Sequence, residues 1–228
     1  MYRFSLVIPI FNEADNIVNL LNEICDDLVN KLKFEIIIVN DGSTDNTSMK
    51  LSDFTRTNIK VINNEKNLGQ SRSIHVGISN SSTDTIVTID GDGQNIPKDI
   101  LKLTKIYFEK EEIKLVSGIR INRKDNIIKL VSSRIANLIR NLILRDHCKD
   151  TGCSLKIFDK NIFLSFPFFD GIHRFIPAFY VRNNYIVSYV NVGHRPRMKG
   201  KSKYGTKDRL TKGLIDLIRV RKILNKDA

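Results

Sequence analysis

Two aspartates separated by a single glycine, Asp90 and Asp92 in TIDGDGQNIP (88–97), stand where a run of strand-forming residues ends. Carboxylates this close repel one another, so something positive has to offset them. The plainest alternative is a pair of solvated turn residues. Asp-Gly-Asp at a strand end nevertheless offers hard oxygens suited to Mg2+ or Mn2+, with Gln94 as a third oxygen ligand and glycines small enough to let a diphosphate approach the backbone. That is the chemistry of a nucleoside diphosphate held through its metal. A calcium loop of the helix-loop-helix type does not fit, because its central glycine falls on Asn95 and its bidentate glutamate on Leu101. A second acidic turn, VNDGSTDNT (39–47), also follows a strand; Ser43 or Thr44 caps the next helix, and Asp41 is placed to bond a ligand's base or ribose. In NEKNLGQSRS (64–73), Gly69 and its neighbouring amides allow close approach of a ligand.

These residues need a frame that brings strand ends together. FSLVIPI (4–10), FEIIIVN (34–40), IKVIN (59–63), TIVTID (85–90) and KLVSG (114–118) are nearly unbroken Val/Ile-rich runs, which predicts strands buried on both faces. Helical stretches alternate with them: EADNIVNLLNEICDDLVNKL, TDNTSMKLSDF, GQSRSIHVGISN and PKDILKLTKIYFEK. Alternation of this kind predicts an α/β fold with a doubly wound, mostly parallel sheet, whose ligands bind at the carboxyl ends of strands. Asn12, 40–45 and 90–94 all fall at such ends. Beyond residue 118 the alternation stops. The spacing predicts an amphipathic helix over about 126–144, with Ile128, Val131, Ile135, Leu138 and Leu142 on one side, a weak strand at 185–192, and a final helix from Asp208 to about Leu224.

Composition bounds the partners. The 228 residues carry a formal charge of +12, which calls for an anionic partner. A nucleic acid is the remote alternative, since neither a helix-turn-helix, an RNA-binding aromatic motif nor zinc spacing is present. The excess lies late, in IRINRK (119–124), Arg134, Arg140, Arg145 and the run from His194 to Arg209, whereas the chemical-looking acids lie early. Three cysteines without CxxC spacing support neither a disulfide framework nor a zinc site, so a reducing cytosol is expected. No export signal and no apolar run of membrane-spanning length is visible.

The ordered series VIPIFNEADNI, VNDGSTD, NLGQSRSIHVGI, TIDGDGQNIP, DTGCSLKIF and HRPRMKGKSKYG covers nearly the whole chain and resembles the family 2 inverting glycosyltransferases. Within them it is similar to the dolichyl-phosphate mannose synthase branch, whose bacterial relatives glycosylate undecaprenyl phosphate. The resemblance implies a GT-A type fold, Rossmann-like, with a C-terminal acceptor-side extension. It further implies Pro9, Asn12 and Glu13 in the nucleotide pocket, Asp41 near the base or ribose, and Asp90, Asp92 and Gln94 at the metal and donor diphosphate. Arg120 and Arg134 become candidates for a lipid phosphate, suited to it by the planar guanidinium fork. Arg197, Ser202 and Lys203 resemble a loop that closes over the diphosphate, with Gly200 and Gly205 permitting closure. The sequence departs from the usual VDDGS at Asn40, which bears on how the base is read. His173 and Arg174 in GIHRFIPAF form a second candidate pair, with a surface histidine beside an aromatic core segment as the alternative.

An acceptor phosphate monoester is largely a dianion at neutral pH, so it can attack the anomeric carbon without a general base, inverting that centre. A sugar or glycolipid hydroxyl would need a base, for which Asp150 in KDTGC is the candidate. The expected arrangement is a catalytic unit over 1–207, with a nucleotide-sugar half (about 1–118) and an acceptor half (about 119–207), then an amphipathic helix over 208–228. In that helix Leu210, Leu214, Leu217, Ile218 and Leu224 share a sector flanked by basic residues, which predicts a peripheral enzyme on the cytosolic membrane face.

Overall fold

The computed structural model describes residues 3–57, 59–121, 140–197 and 206–225. Its frame is β1 (Arg3–Ile10), α1 (Ile17–Ile24), β2 (Lys33–Asn40), α2 (Thr47–Ser52), β3 (Ile59–Asn63), α3 (Gln70–Ser79), β4 (Thr85–Thr88), α4 (Ile100–Glu109) and β5 (Ile113–Arg120). There follow β6 (Lys156–Asp159), α5 (Lys160–Ser165), α6 (Ile176–Arg182), β7 (Ile186–Val192) and α7 (Thr206–Leu224). One sheet holds all seven strands in the order β3-β2-β1-β4-β6-β5-β7.

Strands β1 to β4 pair in parallel, β5 pairs in parallel with β7, and β6 runs antiparallel to both β4 and β5. Two reversals restore direction, so β5 and β7 end on the same edge as β1, β2 and β4. The continuous apolar runs explain the two-sided burial. Phe4, Leu6, Ile8, Ile36 and Ile38 face one cluster, with Ile17, Leu20, Leu21 and Ile24 of α1 and Ile100 and Leu103 of α4. Val7, Ile37 and Val39 face the other, with Ile74 and Ile78 of α3, Phe179 and Tyr180 of α6, and Leu217, Val220 and Leu224 of α7.

The sequence reading differs from this frame in four places. Helix α1 is shorter than its periodic stretch and continues as a π-helical turn, Cys25–Val29. Strand β6 and helices α5 and α6 carry no clear periodicity of their own, and β6 enters the middle of the sheet. Of the helix expected over 126–144, residues 122–139 lie outside the described residues; 140–144 are helical, but Leu142 is 71% exposed whereas Leu144 is buried, so Leu142 is off the buried side. In α7, Leu217 and Leu224 face the core rather than a membrane, because the 217/220/224 spacing makes one stripe; Ile215 and Ile218 are exposed at 59% and 60%.

Candidate active site

The Asp90–Asp92 turn follows β4 directly, after the buried Ile89. Asp90 is fixed from both ends: its N–H donates to Ser154 Oγ at 3.2 Å, and its Oδ1 accepts from Gln70 Nε2 at 2.7 Å. Ser154 passes its own proton to Asn95 Oδ1 at 2.8 Å. Asp92 Oδ1 accepts from the Gln94 N–H at 3.1 Å, an Asx turn that folds the chain back. Gly91 has a reason different from the expected one. A Cβ there would stand 2.4 Å from Ile10 Cγ2, so it is small because the turn presses on the end of β1, not to make room for a diphosphate.

The electrostatics are unfavourable as they stand. Burial, then the charge of Asp92, raise the Asp90 carboxyl to about 6, against the pull of Ser154, Lys156 and Arg120. Asp92 is also raised, by burial and the nearby Glu13, while the Gln94 amide, Arg197 and His194 act the other way. Among the described residues neither aspartate has an ion-pair partner. Nor do three His, Cys, Asp or Glu side chains stand together as a ready metal cage among those residues. The donor set still fits a divalent cation of the magnesium type, which takes one or two carboxylates and completes its shell with phosphate oxygens and water. Gln94 gives its Nε2 to the Arg195 carbonyl at 3.2 Å, which leaves Oε1 as its only oxygen for such an ion.

A strap after β7 is laid across this turn. Arg195 N–H donates to Gln94 O at 3.0 Å and Arg195 Nε to Gly93 O at 2.5 Å; Arg195 also pairs with Glu23 at 2.7 Å. Asn95 and His194 form an antiparallel bridge, and Arg197 pairs with Glu13. The strap thus places Glu13, Arg197 and His194 around Asp92. His194 was missed in the sequence, where it read only as part of a basic run; its position two residues beyond a strand end was the available signal.

On the nucleotide side, Asn12 (φ 51) donates its N–H to Ser43 Oγ at 2.8 Å and accepts from Thr44 N at 2.7 Å, while Glu13 N–H donates to Thr47 Oγ1 at 2.9 Å. The strand ends of β1 and β2 are therefore stitched together, with Pro9 in register with Val39. Asp41, expected near the base or ribose, bonds the neighbouring loop in this structure. It is buried and accepts from Asn64 Nδ2 (2.7 Å), Leu68 N (2.9 Å) and Gly69 N (2.8 Å), so it holds the 64–69 loop in place. Gly69 has φ 89, a conformation that turns its amide onto Asp41 and that a side chain would strain. Asn40 likewise serves the protein, giving its Nδ2 to Ser48 Oγ and Asn63 Oδ1, each at 2.9 Å.

On the acceptor side, Arg120 and Asp150 meet each other. The guanidinium donates Nε to Oδ2 at 2.7 Å and Nη2 to Oδ1 at 2.8 Å, and the Arg120 and Gly152 amides add bonds at 3.1 and 3.2 Å. A carboxylate engaged by four donors and buried in this way is not poised as a general base, and the Arg120 fork is engaged with Asp150. Arg134, Ser202 and Lys203 lie outside the described residues. The site brings Asp90, Asp92, Gln94, Glu13 and Arg197 together, while Asn40, Asp41, Arg120 and Asp150 each bond protein partners in neighbouring loops and strands.

The profile of glycosyl transferase family 2 matches residues 5–166. The chain is 34% identical over 225 residues to a dodecaprenyl-phosphate galacturonate synthase of Rhizobium johnstonii, covering 96% of this chain and 66% of that protein. It is 30% identical over 224 residues to an undecaprenyl-phosphate 4-deoxy-4-formamido-L-arabinose transferase of Yersinia pestis, covering 95% and 66%. The chain thus spans just under two thirds of the length of these relatives. In three dimensions it is similar to glucosyl-3-phosphoglycerate synthase from Mycobacterium tuberculosis, solved with Mn2+, UDP and glucosyl-3-phosphoglycerate, with a TM-score of 0.72, 19% identity, and coverage of 96% of this chain and 79% of that one.

Proposed function

This chain belongs to glycosyl transferase family 2, and from that premise we propose that it transfers a hexose from a UDP- or GDP-linked donor to a polyprenyl phosphate with inversion. The observation that carries the proposal is the Asp90/Asp92 pair: two half-buried carboxylates, both raised, held at the carboxyl edge of the sheet with no ion-pair partner among the described residues. A divalent ion, Mg2+ or Mn2+, would neutralise the donor diphosphate and favour its departure. The chain's own part is to hold Asp90 through Gln70 and Ser154, to orient Asp92 by its Asx turn, and to bring Arg197 close to the departing phosphates by the strap.

In the displacement, a lipid phosphate oxygen bonds to the anomeric carbon as the bond to the diphosphate breaks, and the electron pair leaves with the nucleoside diphosphate. No proton has to be removed from a dianionic acceptor. The engagement of Asp150 by Arg120 favours this over the hydroxyl-acceptor reading, which needs a free base. The segment after residue 118, with Arg134, is assigned to the acceptor.

Among the described residues no helix is long and apolar enough to cross a membrane. Contact with the cytosolic face of a bilayer is assigned to the far end of α7. There a cavity of about 280 Å3 is lined by Leu142, Ile143, Arg145, Arg182, Arg221 and Leu224. The exposed Leu142 lines it, and the exposed Ile218 lines an adjoining cavity that shares Ile143 and Arg221, so apolar and cationic groups share one surface, as an anionic lipid bilayer requires. The test of the function is turnover of a panel of UDP- and GDP-hexoses with short polyprenyl phosphates. Product that forms with Mg2+ or Mn2+, disappears in EDTA and is abolished in Asp92→Asn supports the reading; transfer only to hydroxyl acceptors, or undiminished turnover in EDTA, overturns it.

A further inference from the structure

The pair His173 and Arg174 has so far no part in the chemistry. Arg174 is taken: its Nη2 donates to Asp216 Oδ2 of α7 at 2.5 Å. His173 sits on a short 3-10 turn, Ile172–Arg174, half-buried between the buried Ile172 and Phe175. Its Nδ1 lies 2.7 Å from Ser71 Oγ. The same hydroxyl accepts the Gly171 N–H at 2.7 Å. Ser71 is fully buried, and a hydroxyl carries a single proton. Were Nδ1 the donor, the Ser71 oxygen would accept two bonds and its own O–H would be buried without an acceptor, which costs free energy. The proton therefore runs from Ser71 Oγ to His173 Nδ1. The ring hydrogen must then reside on Nε2, which becomes a donor of fixed identity.

The turn is fastened on both sides of the ring, by Gly171 to Ser71 and by Arg174 to Asp216, so the imidazole is fixed in place as well as in tautomer. It is also fastened to the active site. Ser71 follows Gln70, whose amide holds Asp90, and the buried Lys156 acts electrostatically on both Asp90 and His173. Asp170, which begins the same turn, has Oδ1 about 3.8 Å from where a Cβ on Gly69 would stand. Burial, with the charges of Arg174 and Lys156, lowers the imidazole to about 3, so it stays uncharged at working pH. Phosphates are matched by cations such as Arg197; a neutral N–H of fixed position suits a hydroxyl.

We propose that His173 is a specificity-determining residue: its Nε2–H, set as a donor by Ser71, gives a hydrogen bond to one hydroxyl of the sugar being transferred. The assignment rests on the transferase reading above. Its first test is independent of turnover. In the full chain, 15N imidazole spectra should show His173 with Nδ1 bare and Nε2 protonated, unchanged between pH 5.5 and 8, and Ser71→Ala should mix the tautomers. A protonated Nδ1 in the wild-type spectrum overturns the proposal.

The second test uses the nucleotide hexose turned over best from the UDP and GDP panel, with a short polyprenyl phosphate. His173→Phe should lower kcat/KM for the nucleotide sugar roughly 10- to 100-fold, the value of one lost bond to a buried polar partner. The KM for polyprenyl phosphate, the affinity for the free nucleoside diphosphate and the melting temperature should not change. His173→Gln, which keeps a donor, should recover most of the loss. Among donors lacking one hydroxyl each, one should be as poor for wild type as for His173→Phe. Equal activity in His173→Phe, or a loss that falls on nucleoside diphosphate or lipid phosphate instead, overturns the proposal. If wild type turns over no donor in the panel, the transferase reading fails; calorimetry of the same nucleotide hexoses, against the diphosphate alone, then decides the His173 contact by itself.

Discussion

At the scale of single residues, the site is a place where charge is held against its preference. An aspartate whose folded pKa lies near 6, above the ordinary value of about 3.9, binds its proton more tightly in the folded state. Below about pH 3.9 both states are protonated and the group adds no slope; from there to about 6 the unfolded chain ionises first, so stability falls as pH rises. Asp90→Asn should remove that fall, leaving the variant more stable than wild type above pH 6 by about 1–2 kcal/mol in denaturant melts while transfer is lost. A stability difference between wild type and Asp90→Asn that stays constant through this window would contradict the burial argument. Asp150 offers the opposite case. Asp150→Asn leaves the Arg120 guanidinium buried and half-partnered, for which a loss of about 3–5 kcal/mol is expected, with activity falling in step with folding. Asp150→Asn that folds at wild-type stability and has no activity would instead restore this residue as a base.

At the scale of elements, α7 does two things with one helix. Leu217, Val220 and Leu224 close the second apolar cluster, and Asp216 anchors the turn that carries His173. Leu217→Ala should therefore destabilise by about 2–5 kcal/mol, measured by urea unfolding, whereas the exposed Ile218→Ala should stay within about 0.5 kcal/mol. Ile218→Ala should show its effect on liposome binding instead. A chain cut at Thr206 is not a fair test of membrane contact, because it uncovers the core. The strap from Gly193 to Arg197 is the other two-sided element: its Gly193 and Arg195 amides bond Asp99 Oδ2 and Gln94 O, and the Arg195 side chain bonds Gly93 O, which together define the turn that holds Asp92.

At the scale of the whole molecule, the charge of +12 and the arginines at the distal cavity predict salt-dependent binding to anionic vesicles. Arg145→Ala with Arg221→Ala should weaken flotation by about 1 kcal/mol per residue at low salt, and equal flotation at all ionic strengths would place the contact elsewhere. The local code was legible where neighbours in sequence decide the outcome. Unbroken Val/Ile runs form strands, those of β1 and β2 buried on both faces whereas β3, at the sheet edge, keeps no residue fully buried. Acidic turns at their ends fall on one edge, and the Asp90/Asp92 repulsion is visible from spacing alone. What only the tertiary structure decided involves partners far apart in sequence. Strand β6, four residues of unremarkable pattern, enters between β4 and β5 because pairing supplies the preference that its own residues lack, and Lys156 is thereby set in register with Thr88, two residues before Asp90. Asp41, Asn40, Arg120 and Asp150 are residue types that bind ligands as readily as loops; which they do depends on partners 8 to 30 positions away. The Ser71–His173 bond spans 102 positions, and no periodicity or motif encodes it. Sequence alone fixes which residues can form strands, turns and charged edges, since those are local preferences. Long-range contacts then choose which of the chemically able residues face the substrate and which hold the others in place.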